Sequence, residues 1–530
     1  MGIHVKGKNE IMINTPLPQR VDTPLPQQVI ETRKITCKQQ LRGITLSRWS
    51  LPLILAFQTL LSWILLQNTP FQDEALYVYA GRQIWQQWLG GPPSLDQYSY
   101  YFSGYPYVYP LIGGGLDLLG GIELARAFSL LCMLLVTTCG YYVTKKLFNQ
   151  KSAVFAAIFF VCQGPVLFLS RLATFDAFCL CLLAMGTALA VRSSQSRRPW
   201  LALGIGPLLV LAFGAKYAAL LFIPSVLAIL VVCTLLKRGW IGMLVRGTLG
   251  VLSLLVVGAS TVIVVTHLDH YVLHALAATT TNRQAILSAT RLGLTEHVIQ
   301  MVGLSFAVGL LGLACASKKH LLIILLFFGS ALLIPGYHIY KAEEISLDKH
   351  LGYSMFFLMP VAGYALSSLS NFQGKFSPGR HWLSGMAICL MLFLVATGEA
   401  QNMYWAWPNT TELAYTLNTQ VRPGAGRYLA EQFETSRYNL RGDTYNWQWT
   451  GLDFFEYTDK QGRYYSGTDA YIKAVNDGYF DLIQLNYGFN AQTALIILQA
   501  IQQSKKYQLI DKIPYQDSFG PGYFWIWRKV

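Results

Sequence analysis

The residues with the types and placement to do chemistry stand at the ends of apolar runs: Asp73 with Glu74, Arg126, Arg171 with Asp176, Lys216, and Lys349 with His350. Asp73 and Glu74 follow an apolar run from about residue 51 to 66, long enough for one bilayer crossing, so they mark the point where the chain leaves the hydrocarbon. Ionisable groups at that depth are costly and point to a functional site. A carboxylate there can take a proton from an attacking hydroxyl, and Asp73 is read as that catalytic base. The cations Lys216 and Arg171 are suited to an anionic, phosphate-bearing group.

The elements that must position these side chains are membrane helices. Of the 530 residues 53% are hydrophobic and only 13% charged, against roughly 25% charged in soluble domains. The net charge of +14 falls in short clusters between apolar runs, a topology signal rather than a nucleic-acid surface. All nine cysteines lie in the N-terminal tail or in apolar runs, so neither a disulfide framework nor a CxxC metal site is indicated. Phosphate-loop, HExxH, GxSxG and dinucleotide motifs are missing, which removes support for ATP-driven transport and α/β-hydrolase chemistry.

Residues 1–48 are polar, hold the near-repeat Thr15-Pro16-Leu17-Pro18-Gln19 and Thr23-Pro24-Leu25-Pro26-Gln27, and read as a disordered cytoplasmic tail. A Pro-rich docking peptide is the alternative. From residue 49 to 401, about eleven apolar runs predict a polytopic α-helical membrane domain. The stretch 200–236 contains Lys216, and basic clusters at Arg197-Arg198 and Lys237-Arg238 flank it, so a hairpin of two crossings with Lys216 at its outer turn is expected. Lys145, Lys146, Lys151, Arg192, Arg246, Lys318, Lys319, Lys375 and Arg380 occupy alternate loops without Asp or Glu, which are read as cytoplasmic. The first loop, 67–121, with 267–296, 339–350 and residues 402–530, is read as facing outward. The last segment is polar and aromatic and predicts a small extracytoplasmic α/β domain, with helices at 424–434 and 491–503 and strands at 481–486, 507–513 and 523–528. Trp447 and Trp449 could stack on sugar rings, or be one buried strand face.

Each site residue also has a structural reading. Lys216 is either a phosphate ligand or a snorkelling residue at a hairpin tip. Arg126 and Asp176 either face substrate or pair with buried groups inside the bundle. Tyr105, Tyr107 and Tyr109 read as an interfacial belt more than as a sugar platform. His267, His270 and His274, spaced i, i+3, i+7 beside Asp269, could hold a divalent metal on one helical face. At a membrane exit histidines are unremarkable, so neither a metal nor any other cofactor is assigned.

The order of Asp73-Glu74 after the first crossing, the amphipathic segment from Tyr77 to Leu89, Ser103-Gly104-Tyr105-Pro106-Tyr107-Val108-Tyr109-Pro110, and Arg171-Leu172-Ala173-Thr174-Phe175-Asp176 resembles the type C glycosyltransferases. Within them the chain is similar to the protein O-mannosyltransferase and aminoarabinose transferase group over about residues 49–370. Gly214-Ala215-Lys216-Tyr217 is similar to that group's lysine-containing turn but lacks its Lys-Gly-Pro continuation. The resemblance implies transfer of a sugar from a polyprenyl-phosphate carrier to a hydroxyl of a lipid, glycan or protein acceptor at the outer face of the plasma membrane. Asp73 would then be the base of an inverting displacement, Lys216 and Arg171 the cations on the leaving phosphate, and Glu74 a residue orienting the loop or a sugar hydroxyl. Arg126, Asp176, Lys349 and His350 complete the expected substrate site. A lipid or solute transporter or flippase is the alternative; it should show paired repeats and charges near mid-membrane, and the charges here cluster at one surface.

Overall fold

The computed structural model describes the backbone of residues 49–530 apart from 66, 95, 283–288, 377–381 and 489, with side chains also given there except for 373–376. The tail at 1–48 and the side chains of Lys375 and Arg380 lie outside the described residues. Apolar runs become helices because a chain in hydrocarbon has no water to bond its peptide groups and must satisfy them internally. The helices are α1 (Trp49–Leu65), α2 (Gln72–Trp88), α3 (Tyr109–Leu147), α4 (Gln150–Val161), α5 (Gly164–Leu169), α6 (Phe175–Gln195), α7 (Ile205–Ala215), α8 (Ile223–Leu268), α9 (Val272–Thr279), α10 (Arg291–Ala314), α11 (Leu321–Ala331), α12 (Leu333–Lys341), α13 (Leu347–Phe376) and α14 (Leu383–Tyr404).

Among the described residues, seven helical stretches are long and apolar enough to cross a membrane, and three shorter apolar helices accompany them. The sequence suggested about eleven crossings. The difference comes from short segments such as α4 and α7, and from α8, which carries two apolar runs through a bend at Gly239 (φ 71°). Gly120 and Gly121 bend α3 in the same way, separating its first-loop part from its long apolar part. Leu255, Ile263, Leu390 and Leu394 are exposed on the outer helix faces, the surface expected where lipid is the solvent. The protein is a multi-pass membrane protein.

The C-terminal part adds α15 (Thr411–Gln420), α16 (Phe433–Asn439), α17 (Thr468–Asp477) and α18 (Ala491–Ser504), with strands β1 (Tyr428–Ala430), β2 (Trp449–Thr450), β3 (Glu456–Thr458), β4 (Tyr464–Ser466), β5 (Leu482–Leu485), β6 (Tyr507–Asp517) and β7 (Gly520–Lys529). A mixed sheet of order β2-β1-β5-β7-β6 has β1 parallel to β2 and β5, and β7 antiparallel to β5 and β6. Strands β5, β6 and β7 and helix α18 lie where the sequence placed them. The expected helix at 424–434 is instead a turn and strand β1. Gly424 (φ 66°) and Gly426 (φ 90°) adopt left-handed conformations incompatible with helix, and buried Tyr428 pairs with both Trp449 and Leu482. Trp449 is buried against Tyr428 while Trp447 is exposed on a turn, so the two indoles do not form one platform.

Candidate active site

Helix α2 carries the acidic pair, and its position is set by glycine. A Cβ on Gly81 would collide with the Pro110 carbonyl, and one on Gly114 would collide with the Gly81 backbone. Only a crossing without side chains lets α2 lie this close on the start of α3. Asp73 and Glu74 sit in the first turn of α2, where the helix dipole favours negative charge.

Adjacent helical residues point about 100° apart, and the two carboxylates accordingly meet different partners. Glu74 is fully buried and accepts from Arg126 Nε at 2.9 Å and Nη2 at 2.8 Å, from the Phe71 amide at 2.9 Å and from the Ala173 amide at 2.8 Å. Arg126 also donates to the Asn68 carbonyl and to Glu123. Every nitrogen of its guanidinium is therefore engaged with protein. The pair ties the start of α2 to α3 and to the turn before α6.

Asp73 remains 26% exposed at its side chain and bonds the Lys349 ammonium from the first turn of α13. Deeper in, Lys216 donates to Asp176 at 2.6 Å, Thr174 donates to the other carboxylate oxygen at 3.1 Å, and the Tyr353 hydroxyl stands at 3.4 Å. His350 Nε2 lies 3.9 Å from Asp176. The Lys349 ammonium acts electrostatically on both Asp73 and Asp176, which makes one cluster of the two ion pairs.

Lys216 does follow a break, since α7 ends at Ala215 and Lys216 itself is extended (φ −153°, ψ 127°). It is not at an exposed tip: it is 3% exposed and ion-paired. The first loop covers it. The Tyr105 amide donates to the Gly214 carbonyl at 2.8 Å and the Tyr217 amide to the Ser103 carbonyl at 2.8 Å. Gly104 between them has no room for a Cβ against the Ala215 carbonyl. Two stretches singled out in the sequence are thus zipped together by backbone bonds.

Arg171 donates to Glu123 at 2.6 Å and lies over the Trp63 ring, while its Nε and Nη1 are buried without a hydrogen-bond partner. Glu123, which bridges Arg126 and Arg171, was not anticipated; its i, i+3 spacing to Arg126 is the signal that could have found it. Asp96 and Asp117 of the first loop were missed as well. Arg437 of α16 donates to Asp96 at 2.8 Å between the rings of Tyr79 and Phe433, and Tyr438 bonds the buried Asp117, which also pairs with Arg82. Beside them Glu434 hydrogen-bonds Gln72, the neighbour of Asp73, and burial pushes its carboxyl up to about 7. The three histidines His267, His270 and His274 do not share one helical face, because the helix breaks at Asp269.

A helical membrane bundle, a first-loop helix presenting an acidic pair and a C-terminal sheet domain make up the fold of the type C membrane glycosyltransferases. The structure is similar to ArnT from Cupriavidus metallidurans, in the apo state and bound to undecaprenyl phosphate, with a TM-score of 0.60 at 14% identity over 90% of this chain and 97% of that one. It is also similar to the archaeal oligosaccharyltransferase AglB from Archaeoglobus fulgidus, in complex with an inhibitory peptide and a dolichol-phosphate, with a TM-score of 0.52 at 11% identity over 90% of this chain and 74% of that one. In sequence, residues 106–264 match the family described as dolichyl-phosphate-mannose-protein mannosyltransferase. No curated protein matches the sequence. The chain therefore resembles ArnT in fold over 90% of its length and the mannosyltransferase family in sequence over residues 106–264.

Proposed function

We propose that this protein transfers a sugar from a polyprenyl-phosphate carrier to an acceptor hydroxyl at the outer face of the plasma membrane. The observation that carries the reading is the pairing of a partly exposed carboxylate, Asp73, with Lys349, next to the buried Asp176–Lys216 pair. Asp73 is the carboxylate of the cluster that stays within reach of a substrate, and a carboxylate placed beside an attacking hydroxyl can accept its proton. The acceptor oxygen attacks the anomeric carbon, its proton passes to Asp73, and the phosphate leaves from the opposite face, giving inversion. Arg171, with donors to spare, and the lysines Lys216 and Lys349 are the groups that would meet the leaving phosphate. These cations supply the charge stabilisation, and the reaction as written calls on no cofactor.

The likeness to a structure holding undecaprenyl phosphate supports a lipid-linked donor. In this orientation the N-terminus is cytoplasmic and the C-terminal domain lies outside, because Lys and Arg cluster in the alternate loops on the other side from the site. The decisive experiment compares lipid-linked sugars and cell-surface glycans with and without the gene. A lipid-linked sugar that accumulates on deletion, with one glycan losing a residue, is the expected result; unchanged glycans and carrier lipids would overturn it.

A further inference from the structure

His338 on α12 and His350 on α13 are both buried and hydrogen-bonded to each other, Nε2 to Nδ1 at 2.8 Å. Behind them His338 Nδ1 meets the Glu343 carbonyl at 2.7 Å. In front, His350 Nε2 faces Asp176 at 3.9 Å. We propose that His350, backed by His338, hands a proton to the departing phosphate. The proposal rests on the glycosyl-transfer reading and adds to it a proton donor.

The part such a donor plays follows from the bonds made and broken. The acceptor O–H bond breaks and its proton goes to Asp73, while the bond from the anomeric carbon to the acceptor oxygen forms. The bond from that carbon to phosphate oxygen breaks, and the phosphate leaves with the electron pair. Its second ionisation lies near 6, so unaided it leaves as a dianion at neutral pH, and a proton delivered as the bond breaks lets it leave with one charge fewer. In an inverting displacement Asp73 stands on the face opposite the leaving oxygen, so the proton that Asp73 gains cannot be the one the phosphate takes. A second group supplies it, and the cycle closes when solvent takes the proton from Asp73 and re-protonates that group.

The hydrogen bonds determine what the two rings hold. A carbonyl only accepts, so His338 Nδ1 carries hydrogen. With both rings neutral, His338 Nε2 accepts from His350 Nδ1–H, and His350 turns a lone pair toward the Asp176 carboxylate. One added proton, on either ring, leaves Nε2–H of His350 directed at that carboxylate and every other N–H on an acceptor. The pair is a store for one proton whose outlet faces the ion-pair cluster. Groups against it are Asp176 on α6, itself bonded to Lys216, Tyr337 on α12, Glu343 in the linker and Tyr353 on α13; Lys349, next to His350 in the chain, pairs with Asp73, and Asp348 is held by His297 of α10. The linker itself is strained: Ala342 (φ 55°) and Ser346 (φ 67°) are left-handed without being glycine. Such strain persists where the surroundings require it, and here it holds the Glu343 carbonyl on His338.

The test is binding of undecaprenyl phosphate to the full-length protein in nanodiscs between pH 5.5 and 8.5. One linked proton changes affinity by up to about tenfold per pH unit. The wild-type affinity should fall more steeply with pH than that of His350→Gln or His338→Gln, whose curves should coincide. Equal slopes in the wild type and both variants would overturn the proposal and leave the glycosyl-transfer reading standing. No binding by the wild type at any pH would instead remove that reading and the proton donor with it. Should the variants fail to fold, nitrogen NMR of histidine-labelled wild type decides: one proton leaving with both rings shifting together supports the store, whereas independent titration or none overturns it.

Discussion

Lys349 closes its ammonium on Asp73 from 276 residues away in the chain, while Glu74, next to Asp73, is consumed by Arg126. The two carboxylates therefore fail differently when changed. Asp73→Asn keeps size and hydrogen bonding but cannot take a proton, so transfer should drop by about 10² to 10⁴, with a smaller loss of stability than at Glu74 because Asp73 is partly exposed and Lys349 keeps Asp176 nearby. Glu74→Gln leaves the Arg126 charge buried and unbalanced, which costs about 3–5 kcal/mol; its effect should appear as a lowered melting temperature. Purified variants measured for both melting and transfer separate the two roles, and an Asp73→Asn protein with normal turnover would sink the base.

Gly104→Ala tests the zipper between the first loop and the Lys216 turn. The added methyl must displace the Ala215 carbonyl, and overpacking of this kind costs about 1–3 kcal/mol. Because Lys216 follows Ala215 directly, transfer should fall more than stability does. Wild-type KM and kcat would show that the close approach has no bearing on the site.

Membrane class, the acidic pair and the lysine turn were legible in the sequence because each is local: hydropathy, a charged flank, a break after Ala215. What was not legible is pairing. Glu123, Asp96 and Asp117 look like solvated loop carboxylates until the fold brings Arg171, Arg437 and Tyr438 to them. The strand β1 was misread because alternation over three residues is too short to outweigh an apparent helical period, and its pairing partners lie far along the chain. The sequence reading placed no site residue in the C-terminal domain, yet α16 touches the first loop through Glu434, Arg437 and Tyr438.

That contact should depend on pH. Glu434 is raised from 4.5 to about 7 by burial, so the folded state holds a proton that the unfolded chain has released between these values. The stability it contributes is fully present below 4.5 and is lost as pH rises through about 7, on the order of 3 kcal/mol. Melting temperature should therefore decline from pH 5 to pH 8, and Glu434→Gln should flatten that part of the profile. A Glu434→Gln protein with the wild-type slope would place the pH dependence elsewhere.

Orientation is tested with reporters. A reporter active only outside the cytoplasm should work when fused after Val530 and be silent when fused at Gln195, since Arg192, Arg197 and Arg198 mark that loop as cytoplasmic. The opposite pair of results would invert the site to the wrong face and end the proposed reaction.

The Asp176–Lys216 pair offers the sharpest separation of structure from chemistry. Both side chains are almost fully buried and joined at 2.6 Å, so Lys216→Ala strands a carboxylate and Asp176→Ala strands an ammonium. Either loss should destabilise by about 3–5 kcal/mol, whereas replacing a buried pair by apolar residues of similar volume is often neutral. The double variant Asp176→Leu with Lys216→Met should accordingly recover most of the stability lost in the single ones. If Lys216 meets the leaving phosphate, the recovered protein still cannot transfer sugar, and its binding of undecaprenyl phosphate stays weak. Thermal melting and lipid binding on the same four proteins decide the matter. A double variant that regains both stability and transfer would make the pair a packing device and leave the phosphate to Arg171 and Lys349.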